Sequence, residues 1–495
     1  MSMNEQTIAQ VVREVIDQLQ NLPRETSHGN SNGSGASTPD RMRATAGNAF
    51  GIYETMDDAV EAADAAYRQL TEKGVTARKG AISAIRRLSI EKAEEWGKLE
   101  YDETKIGRLE AKIEKLRICG DLVPGVEFLE RNVFSGDFGL TVIDFAPWGV
   151  IGAVTPSTHS VPTLTGNAIN MIAAGNSVVF NTHPAACNCA NVAIKAYNEA
   201  IYAETGISDL LCVVRKPTLD SFDGMLKNEK VRLLCVTGGP ALKAAAMKAN
   251  KRAVVAGPGN PPVVVDETAD LGRAAKSIIQ GAAYDNNLLC IGEKEVFVVE
   301  SVADALMNEM QKAGAKWLDA GQVKALTDKI FVPKKSETGV ATTTSAWDMN
   351  RKMIGRHASV LADLIGLNLP ESVPLLFGET DEDHPFVREE QMMPFLPIVR
   401  VRDVNAAIDA ALRAEHGYKH TAVMHSRNID NLTRFAQLAD TTLFIKNGPS
   451  MTGLGLGGEG FLSFSVATPT GEGVTTPMTF TRSRRCVMVE NLNLY

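Results

Sequence analysis

Apolar and polar positions follow three regimes along this chain, and each predicts a different organisation. In the first 20 residues Ile8, Val11, Val12, Val15, Ile16 and Leu19 form one apolar stripe on a helix, whose other face carries Glu5, Arg13, Glu14, Asp17 and Gln18. A helix this short is marginal alone, so its stripe needs a partner. From Thr26 to Pro39 the pattern vanishes: no charged, Leu, Ile, Val or aromatic residue occurs. That composition predicts a disordered linker with an r.m.s. reach of about 20 Å.

The third regime begins near Ile52. Asp57–Leu70, Ala81–Glu100 and Thr104–Leu122 read as helices, rich in Ala, Glu, Lys, Arg and Leu, and Asn132–Thr155 reads as strand. Short apolar strands then alternate with helices. The predicted strands are Ser177–Phe180, Leu210–Val214, Leu233–Val236, Ala253–Ala256, Val263–Val265 and Val296–Val299. The helices are Gly166–Ala174, Ala186–Glu204, Pro240–Ala249, Leu271–Ala283 and Ala303–Ala313. This alternation predicts an α/β fold with parallel sheets covered on both faces. Phe461–Val466 reads as a further strand and Cys486–Val489 as an edge strand. No internal repeat is visible.

Length and charge narrow the class. With 495 residues, two to four domains are expected. Lys and Arg total 51 against 59 Asp and Glu, a net charge of −8, which excludes a nucleic-acid binder working by bulk positive charge. No apolar run reaches the roughly 18–20 residues of a membrane span, and the N-terminus lacks the pattern of a secretory signal. Seven irregularly spaced cysteines predict no disulfide framework and a reducing, cytoplasmic setting. The neutral-to-acidic polar face of the N-terminal stripe argues against a membrane surface and for docking on a partner's helix or groove.

Candidate chemistry centres on Cys290, between a helix and a strand in Ala282-Ala-Tyr-Asp-Asn-Asn-Leu-Leu-Cys-Ile-Gly292. Free backbone N–H groups at such a boundary lower a thiol pKa and hold an oxyanion, although a cysteine is also a small buried hydrophobe. Leu234-Cys-Val-Thr-Gly-Gly-Pro-Ala241 is a strand, glycine turn and helix start of the kind that binds phosphate. Gly455-Leu-Gly-Gly-Glu-Gly460 is a literal G-x-G-x-x-G, but a strand-like segment follows it, so a loop near the cleft is the better reading. His183, Cys187 and Cys189 have metal-ligand spacing without a second cluster, so no metal is expected. His159 is either a general base or a pocket-lining polar residue.

In order and spacing, Gly149-Val-Ile-Gly-Ala-Val-Thr-Pro156, Ala173-Ala-Gly-Asn-Ser-Val-Val179, Val236-Thr-Gly-Gly239, Gly257-Pro-Gly-Asn-Pro261, Cys290 and Glu390-Gln-Met-Met-Pro-Phe-Leu-Pro397 resemble the aldehyde dehydrogenase superfamily. Thr155-Pro-Ser-Thr158, Phe180-Asn-Thr-His-Pro184, Asn447-Gly-Pro-Ser450, Pro469-Thr-Gly-Glu-Gly473 and Phe480-Thr-Arg-Ser-Arg-Arg-Cys486 resemble its CoA-acylating branch from bacterial microcompartments, the propionaldehyde and acetaldehyde dehydrogenases.

The resemblance implies a Rossmann-like NAD- and CoA-binding domain (48–265), a catalytic α/β domain (266–450), a return segment (451–481), and a small β oligomerisation arm from about 132–147 with 482–495. It also implies an encapsulation-type helix (1–20) on a linker (21–47) that docks on a shell protein, and a dimer or tetramer. Cys290 is the implied nucleophile and Thr158 aligns with the oxyanion-hole amide of hydrolytic members. Thr155, Pro156, Asn181, His183, Pro184, Thr237, Gly238, Gly239, Gly257, Glu390 and Pro394 are the implied cofactor contacts. Asn181 stands where hydrolytic members place a ribose-binding Lys, which bears on NAD against NADP. Val255 stands where they place a Glu general base. Without that base water is poorly activated, whereas the CoA thiol is largely its own nucleophile. The expected function is NAD-dependent, CoA-acylating oxidation of a short-chain aldehyde inside a microcompartment. A hydrolytic enzyme giving free acid, or a dead encapsulated cargo protein, are the alternatives.

Overall fold

The computed structural model describes residues 50–333, 347–490 and 492; the N-terminal stripe and the linker lie outside the described residues. Two parallel sheets organise the rest. The first runs Ile52–Tyr53, Leu211–Val214, Ser177–Thr182, Val150–Thr155, Val231–Val236, Arg252–Val255 in spatial order. Three of these strands are buried throughout, Val231–Val236 is buried except at Arg232, and their apolar runs are what a sheet covered on both faces requires. After Val150–Thr155 the chain adds two strands on one side, then crosses to Val231–Val236 on the other. That reversal opens a crevice beyond the carboxyl ends of Val150–Thr155 and Val231–Val236.

The second sheet runs Lys316–Trp317, Leu376–Thr380, Phe395–Val401, Glu295–Val299, Pro262–Val265, Thr421–His425, Leu443–Lys446, all parallel. Pro262–Val265 therefore belongs to this second sheet. The chain passes from one sheet to the other between Val255 and Pro262, earlier than the boundary expected at 265. An apolar strand reads the same in either sheet, so only its partners decide.

Helix boundaries differ in informative places. Met56–Glu91 is one long element, N-capped by Thr55, whose side chain accepts from the Asp58 N–H; only Gly74 leaves helical geometry inside it. The expected helix Ala81–Glu100 is shared between this element and Ala93–Thr104, and the expected helix from Thr104 begins only at Leu109, after Lys105 and Gly107 at φ 57° and 84°. Phe461–Ser465 is irregular rather than strand, and only Val466–Ala467 pairs, with Gly473–Val474. Asn132–Gly136, Gly139–Pro147 and Thr481–Val489 form a separate antiparallel sheet, the expected arm, with Cys486–Val489 on its edge.

Candidate functional site

Parallel strands gather segments that are far apart in sequence. Phe395–Val401, Glu295–Val299, Pro262–Val265 and Thr421–His425 are consecutive neighbours. The residues just before them are therefore placed side by side at the amino edge of the sheet: Glu390, Cys290 with Lys294, Gly257–Pro261, and His420. Gly259 shows how tightly they meet. A Cβ there would lie 2.3 Å from the Cys290 carbonyl oxygen and 3.1 Å from the His420 ring.

The loop carrying Cys290 is strained and strapped. Asp285, Asn286 and Asn287 all have left-handed φ, 48°, 55° and 65°, which costs about 1 kcal/mol or more per residue without glycine. Buried partners over-determine it. Asp285 accepts from the Arg108 N–H at 2.7 Å and from the fully buried Lys115 ammonium. Asn286 donates to the carbonyls of Gly107 and Gly355 at 3.0 and 2.9 Å. Asn287 donates to Ala282 and Glu293, and the buried Lys294 ammonium donates to its carbonyl at 3.0 Å and to Leu289 at 3.2 Å. Behind the loop, Glu293 accepts from the N–H and hydroxyl of Ser450 at 2.9 and 2.6 Å, and burial pushes its carboxyl up to about 7.

Cys290 itself is partly exposed. Its thiol is pushed up to about 12, by burial and then by the Glu390 carboxylate; Lys294, its own backbone N–H and Lys243 pull the other way without winning. The expectation of a thiol acidified by free N–H groups is thus corrected: in the free protein desolvation outweighs those dipoles. Glu390 is raised by burial, while Lys294, Lys243 and the Gly259 N–H favour its charge.

His420 is fully buried. Its Nδ1 pairs with the Thr421 hydroxyl at 2.8 Å, its backbone N–H donates to Glu415, and its Nε2 has no partner among the described residues. Burial, Lys243 and Lys294 lower it to about 3, so the ring is neutral. Sequence reading passed over His420, Lys294 and Lys243. The available signal for one of them was the charged triplet Glu293-Lys294-Glu295 opening an apolar strand, all three residues buried.

Lys243, on the helix Pro240–Lys248 that begins beyond the carboxyl edge of the first sheet, interacts electrostatically with Glu390 and Cys290, which makes that edge the opposite wall. Thr155 ends the strand Val150–Thr155 and Pro156 follows it. Thr237 and Gly238 follow Val231–Val236, and Gly239 caps the helix Pro240–Lys248. Thr182 and Thr237 each have a buried hydroxyl without a partner, and a Cβ on Gly239 would meet nothing within 4 Å. Unused hydroxyls and an open glycine at a helix start, beside the crevice, fit a dinucleotide's pyrophosphate and ribose. Thr158 pairs with His159 Nδ1 at 2.9 Å, and its carbonyl accepts from Lys112. His159 is buried and held well below its usual range by burial, Lys115 and Lys112. Gly257 packs on Thr468 and Pro469, and Pro394 is buried, its carbonyl accepting from Leu376. Two expected contacts are partly engaged elsewhere: the Asn181 side-chain oxygen accepts from Ser221 at 2.6 Å, and His183 Nδ1 accepts from the Ala185 N–H. Val255 is fully buried among Val236 and Ala246, so no carboxylate stands at that position.

Comparison with known proteins adds four findings. The aldehyde dehydrogenase family pattern matches residues 39–458. The chain is 45% identical over 489 residues to an acetylating acetaldehyde dehydrogenase, EutE, of Salmonella typhimurium, covering 99% of each. Among solved structures, a Rhodopseudomonas palustris propionaldehyde dehydrogenase with bound CoA and an acylated cysteine is 42% identical with TM-score 0.85, covering 90% of this chain and 100% of that one. The propionaldehyde dehydrogenase of the Clostridium phytofermentans fucose utilisation microcompartment is 40% identical with TM-score 0.86 and the same coverage.

Proposed function

We propose, for a chain that belongs to the aldehyde dehydrogenase family, the CoA-acylating branch of its chemistry and a specific set of residues for it. The protein oxidises a short-chain aldehyde with NAD and passes the acyl group to CoA. The observation that carries the site assignment is the cleft itself: a partly exposed Cys290 meets Glu390, Lys294 and His420 on one wall and faces unpartnered hydroxyls and an open glycine on the other.

In this reading Cys290 attacks the aldehyde carbon and its backbone N–H donates to the oxyanion of the thiohemiacetal. Lys294 and Lys243 favour the thiolate. NAD supplies the hydride acceptor, and the product is an acyl-cysteine thioester. The CoA thiol then adds to the thioester carbonyl and displaces Cys290. His420 Nε2 is the acceptor placed to take its proton, since Nδ1 is tied to Thr421. Val255 leaves water without a base at the hydrolytic position. Thr237, Gly238 and Gly239 hold the dinucleotide, with Thr155, Pro156 and Glu390 around its reactive end; Thr158 borders the oxyanion.

The arm is the assigned self-association surface, because Val133, Phe134, Phe138, Val487 and Val489 are exposed there. The apolar stripe of residues 8–19 is assigned to a microcompartment shell protein. Loss of residues 1–20 is then expected to abolish co-sedimentation with shells; unchanged co-sedimentation refutes it. The test of the activity is NADH formation from propanal and NAD with and without CoA, with the product identified by mass spectrometry. Sustained turnover only with CoA, giving acyl-CoA, supports the acylating reading; equal turnover without CoA, giving free acid, overturns it.

A further inference from the structure

We propose that Glu415 is a positioning residue for the CoA half of the reaction: its carboxylate binds the backbone N–H of His420 and holds that ring where it takes the proton of the CoA thiol. The proposal rests on the role given to His420 above and adds what keeps His420 in place.

His420 ends the segment Glu415-His-Gly-Tyr-Lys-His420, which joins the helix Val404–Ala414 to the strand Thr421–His425. The segment is strained. His416, Gly417 and Lys419 have left-handed φ of 59°, 73° and 54°, and two of the three lack the freedom of glycine. It is also uncovered, since His416, Gly417 and Lys419 are all exposed. A turn of this kind relaxes unless something inside it fixes its path.

Glu415 supplies that fixture. It is only 4% exposed, at the inner end of the turn. Its Oε1 accepts from the His420 N–H at 2.9 Å, and its carbonyl accepts from the Tyr418 N–H at 3.2 Å. Burial raises the carboxyl, while the backbone N–H groups of His420, Gly417, Lys419 and Tyr418 favour its charge. Four backbone dipoles thus converge on one carboxylate, an arrangement that stabilises the anion and in return fixes the curvature of the chain. The contacts at the rim are weaker holds. Lys419 and Asp440 form an exposed ion pair, and the exposed His416 ring meets the Arg388 carbonyl.

The His420 ring therefore has two attachments. Nδ1 on the Thr421 hydroxyl sets its rotation, and the backbone N–H on Glu415 sets where its Cα lies. Clearance is small, because a Cβ on Gly259 would lie 3.1 Å from the ring. Loss of the Glu415 carboxylate leaves a buried N–H unpaired and lets the turn relax, which moves Nε2 away from the thiol it serves. The Cys290 loop is held separately. Its straps at Asp285 and Asn286 run to Gly107, Arg108, Lys115 and Gly355, and none runs to residues 415–420 among the described residues. The effect of Glu415 thus falls on proton transfer from CoA and spares the attack of the thiol on the aldehyde.

The experiment separates the two half-reactions of the full-length protein by rapid mixing. Propanal and NAD give a burst of NADH that reports acylation of Cys290, and CoA added afterwards gives the rate of acyl-CoA formation. Glu415→Ala is expected to slow the CoA step at least about tenfold with the burst rate within about twofold of wild type. Glu415→Gln, which keeps an acceptor oxygen for the His420 N–H, is expected to slow it about threefold or less. His420→Asn is expected to slow it about a hundredfold, and adding Glu415→Ala to His420→Asn to slow it no further. Should Glu415→Ala give no burst, Glu415→Asp, which withdraws the carboxylate by one methylene, takes its place with the same expectations. A loss shared equally by both half-reactions, losses that multiply in the double variant, or a CoA step within about twofold of wild type overturns the proposal. A slow His420→Asn beside an unaffected Glu415→Ala overturns the proposal alone. A CoA step unchanged by His420→Asn overturns the reading of His420, and no acyl-CoA from the wild-type protein overturns the activity; the role of Glu415 falls with either.

Discussion

The two walls of the cleft are built in opposite ways. The carboxyl edge of the first sheet offers hydroxyls, glycines and amides: Thr155, Thr182, Thr237, Gly238, Gly239, Asn181. The amino edge of the second offers ionisable groups, Lys294 and His420 fully buried and Cys290 and Glu390 partly exposed. Every one of those four is shifted from its ordinary pKa, each first of all by burial. A wall that binds needs complementary shape and neutral hydrogen-bonding groups. A wall that reacts needs charges whose balance can tip, and low-dielectric surroundings make that balance sensitive. Changes on the first wall should therefore move ligand affinity, and changes on the second should move rates and pH profiles.

The largest break in this contrast is Cys290→Ala. Acyl-CoA formation is expected to fall at least about a thousandfold, with the thermal midpoint close to that of the wild-type protein because the substitution removes a single sulfur atom at a residue that is itself partly exposed. Substantial residual turnover would remove the nucleophile from the second wall.

Next comes stability against pH. His420 lies near 3 in the folded protein against 6.5 ordinarily, so between those values the unfolded chain binds more protons. Its contribution is fully present above pH 6.5 and is lost as pH falls toward 3. Glu293 runs the other way: raised to about 7, it contributes fully below its ordinary 4.5 and loses that contribution as pH rises through 7. His420→Asn should remove about 1.6 kcal/mol of the destabilisation seen between pH 6.5 and 5, roughly a fifteenfold change in the unfolding equilibrium. Urea melts at the two pH values measure it; an unchanged difference would mean His420 is not held neutral by the fold.

A paired test sharpens the electrostatics. Glu390→Gln removes a carboxylate that opposes the thiolate, so alkylation of Cys290 by iodoacetamide at pH 8 should accelerate about tenfold. Lys294→Met should slow it by a similar factor. Shifts of the same sign would contradict the opposed roles. The smallest effect is expected on the first wall. Thr237→Val should raise KM for NAD by about fivefold or less, a loss near 1 kcal/mol, without moving the alkylation profile. A shifted profile would blur the division between the walls.

Much of the first wall was legible from sequence because it is local. Ala173-Ala-Gly-Asn-Ser-Val-Val179 and Val236-Thr-Gly-Gly239 each contain their own helix end, strand or turn, and the structure places them as such. The second wall was legible only at Cys290 and Glu390, through motif resemblance. His420 looks like any polar residue before a strand, and it becomes remarkable in sequence only if its neighbours in space are known. Lys115 is read as a helix-surface lysine until its burial against Asp285, beneath the loop that carries Cys290, is seen.

The sequence by itself determined the alternation of strand and helix, the parallel sheets it demands, the glycine turns and the cysteine between helix and strand. These rest on periodicity and on conformational preferences that act over a few residues. Tertiary structure alone decided that Pro262–Val265 belongs to the second sheet, that four separate segments converge on Cys290, and that its thiol is raised rather than acidified. Strand pairing and burial are sums over distant neighbours, and a desolvation penalty exists only once those neighbours have excluded the water.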